Sequence, residues 1–130
     1  MTYRALIVED EILVALELES ALLDLGVEVV GIASDHCSAM ALADGIDFAL
    51  VDVNLRDGQT GPAIGRALAV EHGAKVIFVT ANPAQLGTGV EGTIGVMTKP
   101  FSDRSIFATV DFLTRDDEAI SPPNELKLFA

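Results

Sequence analysis

The sequence has few of the residues that disulfide scaffolds and nucleic-acid-binding proteins depend on. It contains one cysteine, one tyrosine and no tryptophan, and its 8 Lys and Arg residues face 20 Asp and Glu residues, for a formal charge of −12. One cysteine excludes an internal disulfide, and we expect Cys37 to be a small buried side chain. The acidic balance argues against nucleic acid or anionic lipid as a partner, because both are bound mainly through Lys and Arg.

Long hydrophobic runs and targeting signals are lacking as well. No apolar run approaches the roughly 20 residues of a membrane span, and the N-terminus shows no basic and apolar zones of a secretion signal. We therefore expect a cytoplasmic protein without a membrane partner. Of the 130 residues, 50% are hydrophobic, which is enough for the core of one domain.

Short apolar runs alternate with helix-like segments along the chain. Strands are predicted over residues 3–8, 27–33, 48–53, 75–79 and 93–98. Helices are predicted over residues 11–25, 35–42, 62–72 and 103–114, with Asp35 and Ser102 as N-terminal caps, and a short glycine-broken helix is expected after Asn82. The strand runs are continuous rather than alternating, which is typical of strands covered on both faces. Repeated β-α units predict a parallel sheet with helices on both faces.

Polar side chains stand at the ends of four predicted strands: Glu9 and Asp10, Asp52, Thr80, and Lys99. Ligands of parallel sheets bind beyond the carboxyl ends of the strands, so we expect these side chains to share one site. Carboxylates that repel one another favour a divalent cation, and Mg²⁺ prefers such hard oxygen ligands. Asp52 could then attack phosphorus as a nucleophile, while Lys99 and Thr80 stabilise the phosphoryl oxygens.

Each of these residues also has a structural explanation when taken alone. The acidic pair could favour the dipole of the following helix. Asp52 could be a turn aspartate, Thr80 a strand-end hydroxyl and Lys99 a solvated lysine. The ordered combination on successive strands favours a common site over four separate structural roles.

The combined motifs resemble the signature of receiver domains of two-component response regulators: Glu9-Asp10, Asp52, Thr80-Ala81 and Lys99-Pro100-Phe101. The resemblance extends from residue 3 to about residue 115. It implies an α/β, flavodoxin-like, five-stranded parallel sheet of order 2-1-3-4-5 with helices on both faces. It also implies that Asp52 accepts a phosphoryl group from a sensor histidine kinase or a histidine phosphotransfer protein. Mg²⁺ would be held by Asp10, Asp52 and the backbone carbonyl of Asn54, with Glu9 acting through metal-bound water.

The resemblance sets the expected domain organisation and output. Residues 1–115 would form the receiver domain and residues 116–130 a C-terminal tail, with no output domain following. Such a single-domain regulator would signal by protein binding or act as a phosphate sink. It would catalyse its own phosphorylation and dephosphorylation without turning over a separate substrate.

Two alternative functions remain open. The first is a Mg²⁺-dependent phosphatase with an aspartyl-phosphate intermediate, because Asp52-Val53-Asn54 resembles the start of haloacid-dehalogenase-type sites. Those enzymes usually carry a second acid where Asn54 stands. The second is a receiver-like scaffold that is never phosphorylated, which the presence of Asp52, Thr80 and Lys99 disfavours.

Some features depart from the family pattern or lie outside it. Val96 occupies the position where many receivers carry Tyr or Phe, and the loop after Asp52 lacks a common proline, with Arg56 standing near it.

An apolar stripe on the first helix is predicted to face away from the sheet and to serve kinase docking or a homodimer; it consists of Ile12, Leu16 and Leu23. Three apolar tail residues are expected to cover Phe112: Leu126, Leu128 and Phe129.

Overall fold

The computed structural model describes residues 2–115, 122–124 and 126–129. Its strands are β1 (Arg4–Val8), β2 (Glu28–Ala33), β3 (Phe48–Val51), β4 (Lys75–Thr80), β5 (Gly95–Thr98) and β6 (Leu126–Leu128). Its α-helices are α1 (Ile12–Asp24), α2 (His36–Ala41), α3 (Gly61–Val70) and α4 (Asp103–Thr114), and one 3₁₀ helix spans Pro83–Leu86. None of the helices in these ranges is long and apolar enough to cross a membrane.

The strands form one sheet in the order β2-β1-β3-β4-β5-β6. The pairs among β1 to β5 are parallel, as predicted, and give a flavodoxin-like α/β fold. The prediction of five strands was wrong, because β6 adds to β5 in the antiparallel direction. This strand has only three residues, too few for a hydrophobic pattern to reveal it. The rest of the predicted tail, residues 116–121, 125 and 130, lies outside the described residues.

Each face of the sheet carries its own layer of core side chains. On one face, α1 and α4 bury Leu18, Leu22 and Ile106 against Ile7 and Ile77. On the other face, α2 and α3 pack over a second cluster, with Ile64 and Leu68 of α3 against Phe78 of β4. Successive residues of a strand point to opposite faces, so a continuous apolar run such as that of β4 serves both clusters. The prediction of helices on both faces is confirmed.

Two of the helices begin at the predicted caps. Asp35 accepts a hydrogen bond from the Ser38 backbone N–H at 2.8 Å, and the Ser38 hydroxyl accepts from the Asp35 backbone N–H. The hydrogen bonds from the Ser38 side chain and backbone hold the pKa of the Asp35 carboxyl below its usual range. Ser102 accepts from the Ser105 N–H at 3.1 Å and starts α4. These side chains satisfy N–H groups that the first helical turn leaves without partners.

Several local expectations are corrected. The segment after Thr80 forms one 3₁₀ turn rather than a short α-helix. Cys37 is exposed, not buried, because the short helix α2 buries only Ala39. Strand β5 begins at Gly95 rather than at residue 93.

Helix α1 carries two apolar stripes, a buried one and, second, the exposed one of Ile12, Leu16 and Leu23. Leu18 and Leu22 are buried, whereas Ile12, Leu16 and Leu23 are 62%, 45% and 57% exposed. The exposure of that second stripe is therefore confirmed, and its role in docking or dimer formation stays a prediction.

Candidate functional site

The parallel register brings the predicted polar side chains to one edge of the sheet. Glu9 and Asp10 follow β1, Asp52 follows β3, Thr80 ends β4 and Lys99 follows β5. Backbone hydrogen bonds continue the pairing beyond the strands: the Asp52 N–H donates to the Val8 carbonyl at 2.8 Å, and the Lys99 N–H donates to the Thr80 carbonyl at 2.8 Å. The side chains are therefore placed by the sheet rather than by flexible loops.

The Lys99 ammonium lies between two carboxylates. Its Nζ donates to Glu9 Oε1 at 2.8 Å and to Asp52 Oδ2 at 3.3 Å. The other Asp52 oxygen, Oδ1, accepts from the Val53 N–H at 2.7 Å. Glu9 and Asp52 are only 2% and 7% exposed, so these contacts lie in surroundings from which water is largely excluded.

Burial and the charge of the partner shift the pKa values of Glu9 and Lys99 in opposite directions. Burial raises the pKa of Glu9 to about 7, a rise that the Lys99 ammonium opposes and the Asp52 carboxylate reinforces. Burial alone would lower the pKa of Lys99, but the hydrogen bond and charge of Glu9, with the charge of Asp52, raise it instead. The lysine is therefore held as a cation, and the carboxylates outnumber the positive charge available to them.

The acidic side chains fit a divalent cation. Glu9, Asp10 and Asp52 each offer one carboxylate oxygen, and these oxygens all lie within 4.8 Å of one another. Three carboxylates against one ammonium leave an excess of negative charge that such a cation balances. The Asn54 side chain pairs with the Gln85 amide, donating at 2.9 Å and accepting at 3.3 Å. The role of its backbone carbonyl as a metal ligand stays a prediction.

An open cavity of about 310 Å³ gives access to these groups. Its walls include Asp10, Asp52, Thr80 and Lys99. The Thr80 hydroxyl is in a residue only 1% exposed and accepts from the Asn82 N–H at 3.1 Å. Its own hydrogen remains available for donation to an oxygen bound in the cavity. The geometry places a carboxylate, an ammonium and a hydroxyl around one opening.

Gly61 is a residue of the site region that the sequence patterns did not single out. Its N–H donates to the Val53 carbonyl at 3.0 Å. A Cβ at this position would lie 2.0 Å from the Asp52 carbonyl oxygen and 2.6 Å from the Val53 Cα. The first residue of α3 therefore packs directly against the backbone that carries Asp52. The Gly61-Pro62 pair was the available signal, since a proline marks a first helical turn.

The comparison with known families decides the classification. A family model described as the response regulator receiver domain matches residues 5–111. The chain belongs to the response regulator receiver domain family. The receiver signature, from the acidic pair to Lys99-Pro100, therefore lies within a domain of that family.

Several relatives are regulators of the PhyR type. The chain is 32% identical over 114 residues to the phyllosphere-induced regulator PhyR of Methylorubrum extorquens, an alignment covering 85% of this chain and 43% of that protein. The crystal structure of the response regulator PhyR from Brucella abortus matches with a TM-score of 0.71 and 34% identity, over 82% of this chain and 45% of that one. The receiver thus spans less than half the length of these two relatives.

An isolated receiver domain gives a more complete match. The solution structure of the Erythrobacter litoralis PhyR response regulator REC domain has a TM-score of 0.80 and 26% identity, covering 92% of this chain and 95% of that one. The similarity over nearly the whole of both chains supports the receiver fold described above.

Proposed function

We propose that this receiver accepts a phosphoryl group on Asp52 from the phosphohistidine of a sensor histidine kinase or a histidine phosphotransfer protein. The observation that carries the proposal is the position of Asp52, which contacts Lys99 Nζ at 3.3 Å and lies within 4.8 Å of the Glu9 and Asp10 oxygens. An aspartate so placed has a cation beside it and an open cavity in front of it.

The chemical step follows from these positions. A carboxylate oxygen of Asp52 forms a bond to phosphorus, and the bond between phosphorus and the donor's imidazole nitrogen breaks. Lys99 and Thr80 stabilise the phosphoryl oxygens by charge and by hydrogen bonding. Glu9, Asp10, Asp52 and the Asn54 carbonyl would hold Mg²⁺, which when bound supplies positive charge to the carboxylates and the phosphoryl group.

The acyl phosphate on Asp52 is later hydrolysed by water, in a reaction that the domain assists. The catalysis is therefore the chain's own phosphorylation and dephosphorylation, without a separate substrate. We assign this activity to residues 1–115 and treat residues 116–130 as a tail, in a cytoplasmic protein.

The PhyR relatives suggest where the signal could go. PhyR of Bartonella quintana, which is 30% identical to this chain over 79% of it, is described as an anti-anti-sigma factor, and the chain covers 43% of that protein. By this similarity, we propose that the phosphorylated receiver acts through a protein partner in the control of a sigma factor. Drainage of phosphoryl groups from a kinase is the alternative output.

One experiment tests the phosphoacceptor role. The full chain is incubated with Mg²⁺ and acetyl phosphate, and its intact mass is measured. We expect one added phosphoryl group, which disappears in Asp52→Asn and in the presence of a chelator. Asp44→Asn is the matched control, because this fully exposed carboxylate lies near His72, 3.6 Å from its Nδ1, and outside the candidate site. A chain that never gains mass would be a scaffold, and rapid turnover of phosphomonoesters would indicate a phosphatase.

A further inference from the structure

The β6 segment, residues 126–129, is paired with β5, one of the four strands that lead into the candidate site. Residues of β6 pair with β5 at Leu126–Met97, Lys127–Val96 and Leu128–Gly95. The Phe129 N–H then donates to the Ile94 carbonyl at 3.0 Å. Three of the four residues of β5, all except Thr98, are thus paired with this segment.

Side chains fix the β6 segment to both faces of the sheet. Leu126 is 4% exposed and belongs to the core cluster of α1 and α4. Phe129 packs on the opposite cluster, where its ring lies 6.3 Å from the ring of Phe78 at an interplanar angle of 50°. A Cβ on Gly89 would lie 2.7 Å from the Phe129 ring, so a glycine provides the flat surface on which this ring rests.

Phe129 lies beside Ile94, before the first residue of β5 and away from the site, and its ring reaches Phe78; Leu126, at the other end of the segment, pairs with Met97, two residues before Lys99. Phe78 stands two residues before Thr80 on β4, so both side chains point to the same face of the sheet. Phe78 is paired with Val96, which in turn is paired with Lys127 of β6. The docked positions of Leu126 and Phe129 therefore depend on the arrangement of β4 and β5, the strands that lead to Thr80 and Lys99.

That arrangement is the one found with Asp52 unmodified. The Thr80 hydroxyl accepts from Asn82, and Lys99 contacts both Glu9 and Asp52. A phosphoryl group on Asp52 would draw Thr80 and Lys99 into new contacts. Because Lys99 N–H is bonded to the Thr80 carbonyl, the ends of β4 and β5 respond together.

We propose that the β6 segment is a detachable cover of β5 whose docking through Phe129 and Leu126 is weakened when Asp52 is phosphorylated. The inference rests on the proposed phosphoacceptor function and extends it to the regulation of that site. Release uncovers the hydrogen-bonding edge of β5 and the apolar surface around Phe78. An uncovered strand edge is a site for an added strand of another polypeptide.

The test is hydrogen exchange of the full chain, with intact mass recorded on the same sample. With Mg²⁺ and acetyl phosphate, we expect exchange in residues 126–129 to accelerate about tenfold, within the range usual for coupled sites. Asp52→Asn should show no acceleration. A phosphorylated chain with unchanged or slower exchange overturns this inference and leaves the phosphoacceptor role intact. A chain that gains no phosphoryl group overturns both.

Variants in the β6 segment give an independent measurement. Coupling between two sites is reciprocal, so Phe129→Ala should bind beryllium trifluoride with Mg²⁺ about fivefold more tightly than the natural chain. Leu128→Ala is the matched control, because this side chain is 40% exposed on the same strand. Equal affinities in the natural chain and in Phe129→Ala contradict the coupling, provided that Phe129→Ala unfolds cooperatively like the natural chain.

Discussion

Replacing Gly61 with alanine should damage both the fold and the site. The added Cβ would lie 2.0 Å from the Asp52 carbonyl oxygen and 2.8 Å from the Val53 carbonyl oxygen. Favourable contacts of this kind require about 3.5 Å, so the start of α3 must move by more than about 1 Å. The obstacle is the backbone of the segment that follows β3, which cannot rotate away as a side chain can.

The expected loss of stability combines two costs. Overpacking of a well-filled core costs about 1–3 kcal/mol. The movement also breaks the hydrogen bond from the Gly61 N–H to the Val53 carbonyl, and a buried group without a partner costs about 1–3 kcal/mol. Alanine recovers less than about 1 kcal/mol from its better helix propensity. We expect the free energy of unfolding to fall by about 3 kcal/mol, measured by urea denaturation.

The rate of phosphorylation at the site should also fall in Gly61→Ala. Asp52 and Val53 belong to the displaced backbone, and a misplacement of about 1 Å can slow a reaction about 100-fold. Phosphorylation by acetyl phosphate, followed by intact mass, should therefore slow markedly in Gly61→Ala under conditions where the variant is folded.

Gly31→Ala provides the matched comparison. Its Cβ would lie 2.7 Å from Leu42 Cδ1, the mobile end of a partly buried side chain. Alanine is also favoured over glycine within a strand by about 0.5–1 kcal/mol. We expect the free energy of unfolding of this variant to lie within about 1 kcal/mol of that of the natural chain. Equal stabilities for Gly61→Ala and the natural chain would refute the reasoning from backbone contact.

Three further predictions concern the cation, one helix cap and one buried hydroxyl. Mg²⁺ at about 100 times its dissociation constant should stabilise the natural chain by about 2.7 kcal/mol. The gain in thermal stability should largely disappear in Asp10→Asn, which changes an exposed carboxylate of the proposed metal site, and should persist in Asp44→Asn. Ser102→Ala removes the cap of α4 and should lower the free energy of unfolding by about 1 kcal/mol. Ser102→Asp, which keeps a capping oxygen, should lose much less stability. Within the described residues, the Thr109 hydroxyl has no hydrogen-bond partner and is fully buried. Thr109→Val should therefore raise the free energy of unfolding by about 1 kcal/mol in urea denaturation. A lower free energy of unfolding would instead indicate a partner for that hydroxyl.

The sequence predicts the sheet and the meeting of the site residues for the same reason. Continuous apolar runs define strands covered on both faces, and in a parallel sheet the residues that follow those runs meet at one edge. Glu9, Asp52, Thr80 and Lys99 need only this rule to be brought together, as the contacts of Lys99 show. Their chemical roles stay predictions until phosphorylation is measured.

Other features depend on contacts that no local pattern carries. Strand β6 forms because three residues pair with the edge of β5. Gly95 permits this pairing because it has no Cβ, which would lie 2.4 Å from the Lys127 carbonyl oxygen. The expectation that Phe129 covers Phe112 is wrong, because Phe129 packs on the other face against Phe78, whereas Leu126 lies on the same face as Phe112. Which face a short segment covers is decided by tertiary packing, not by its own sequence.

The exposed position of Cys37 gives this chain an optical reporter at a useful place. It is the only cysteine in the sequence, so a thiol-reactive fluorophore would attach at a single point on the first turn of α2. The neighbouring His36 N–H donates to the Asp57 carboxylate at 3.1 Å, and Asp57 belongs to the loop that leaves Asp52. A dye at this position would stand beside the loop that follows Asp52. Its emission could follow the chemistry of the site in real time, in a chain whose natural sequence is otherwise untouched.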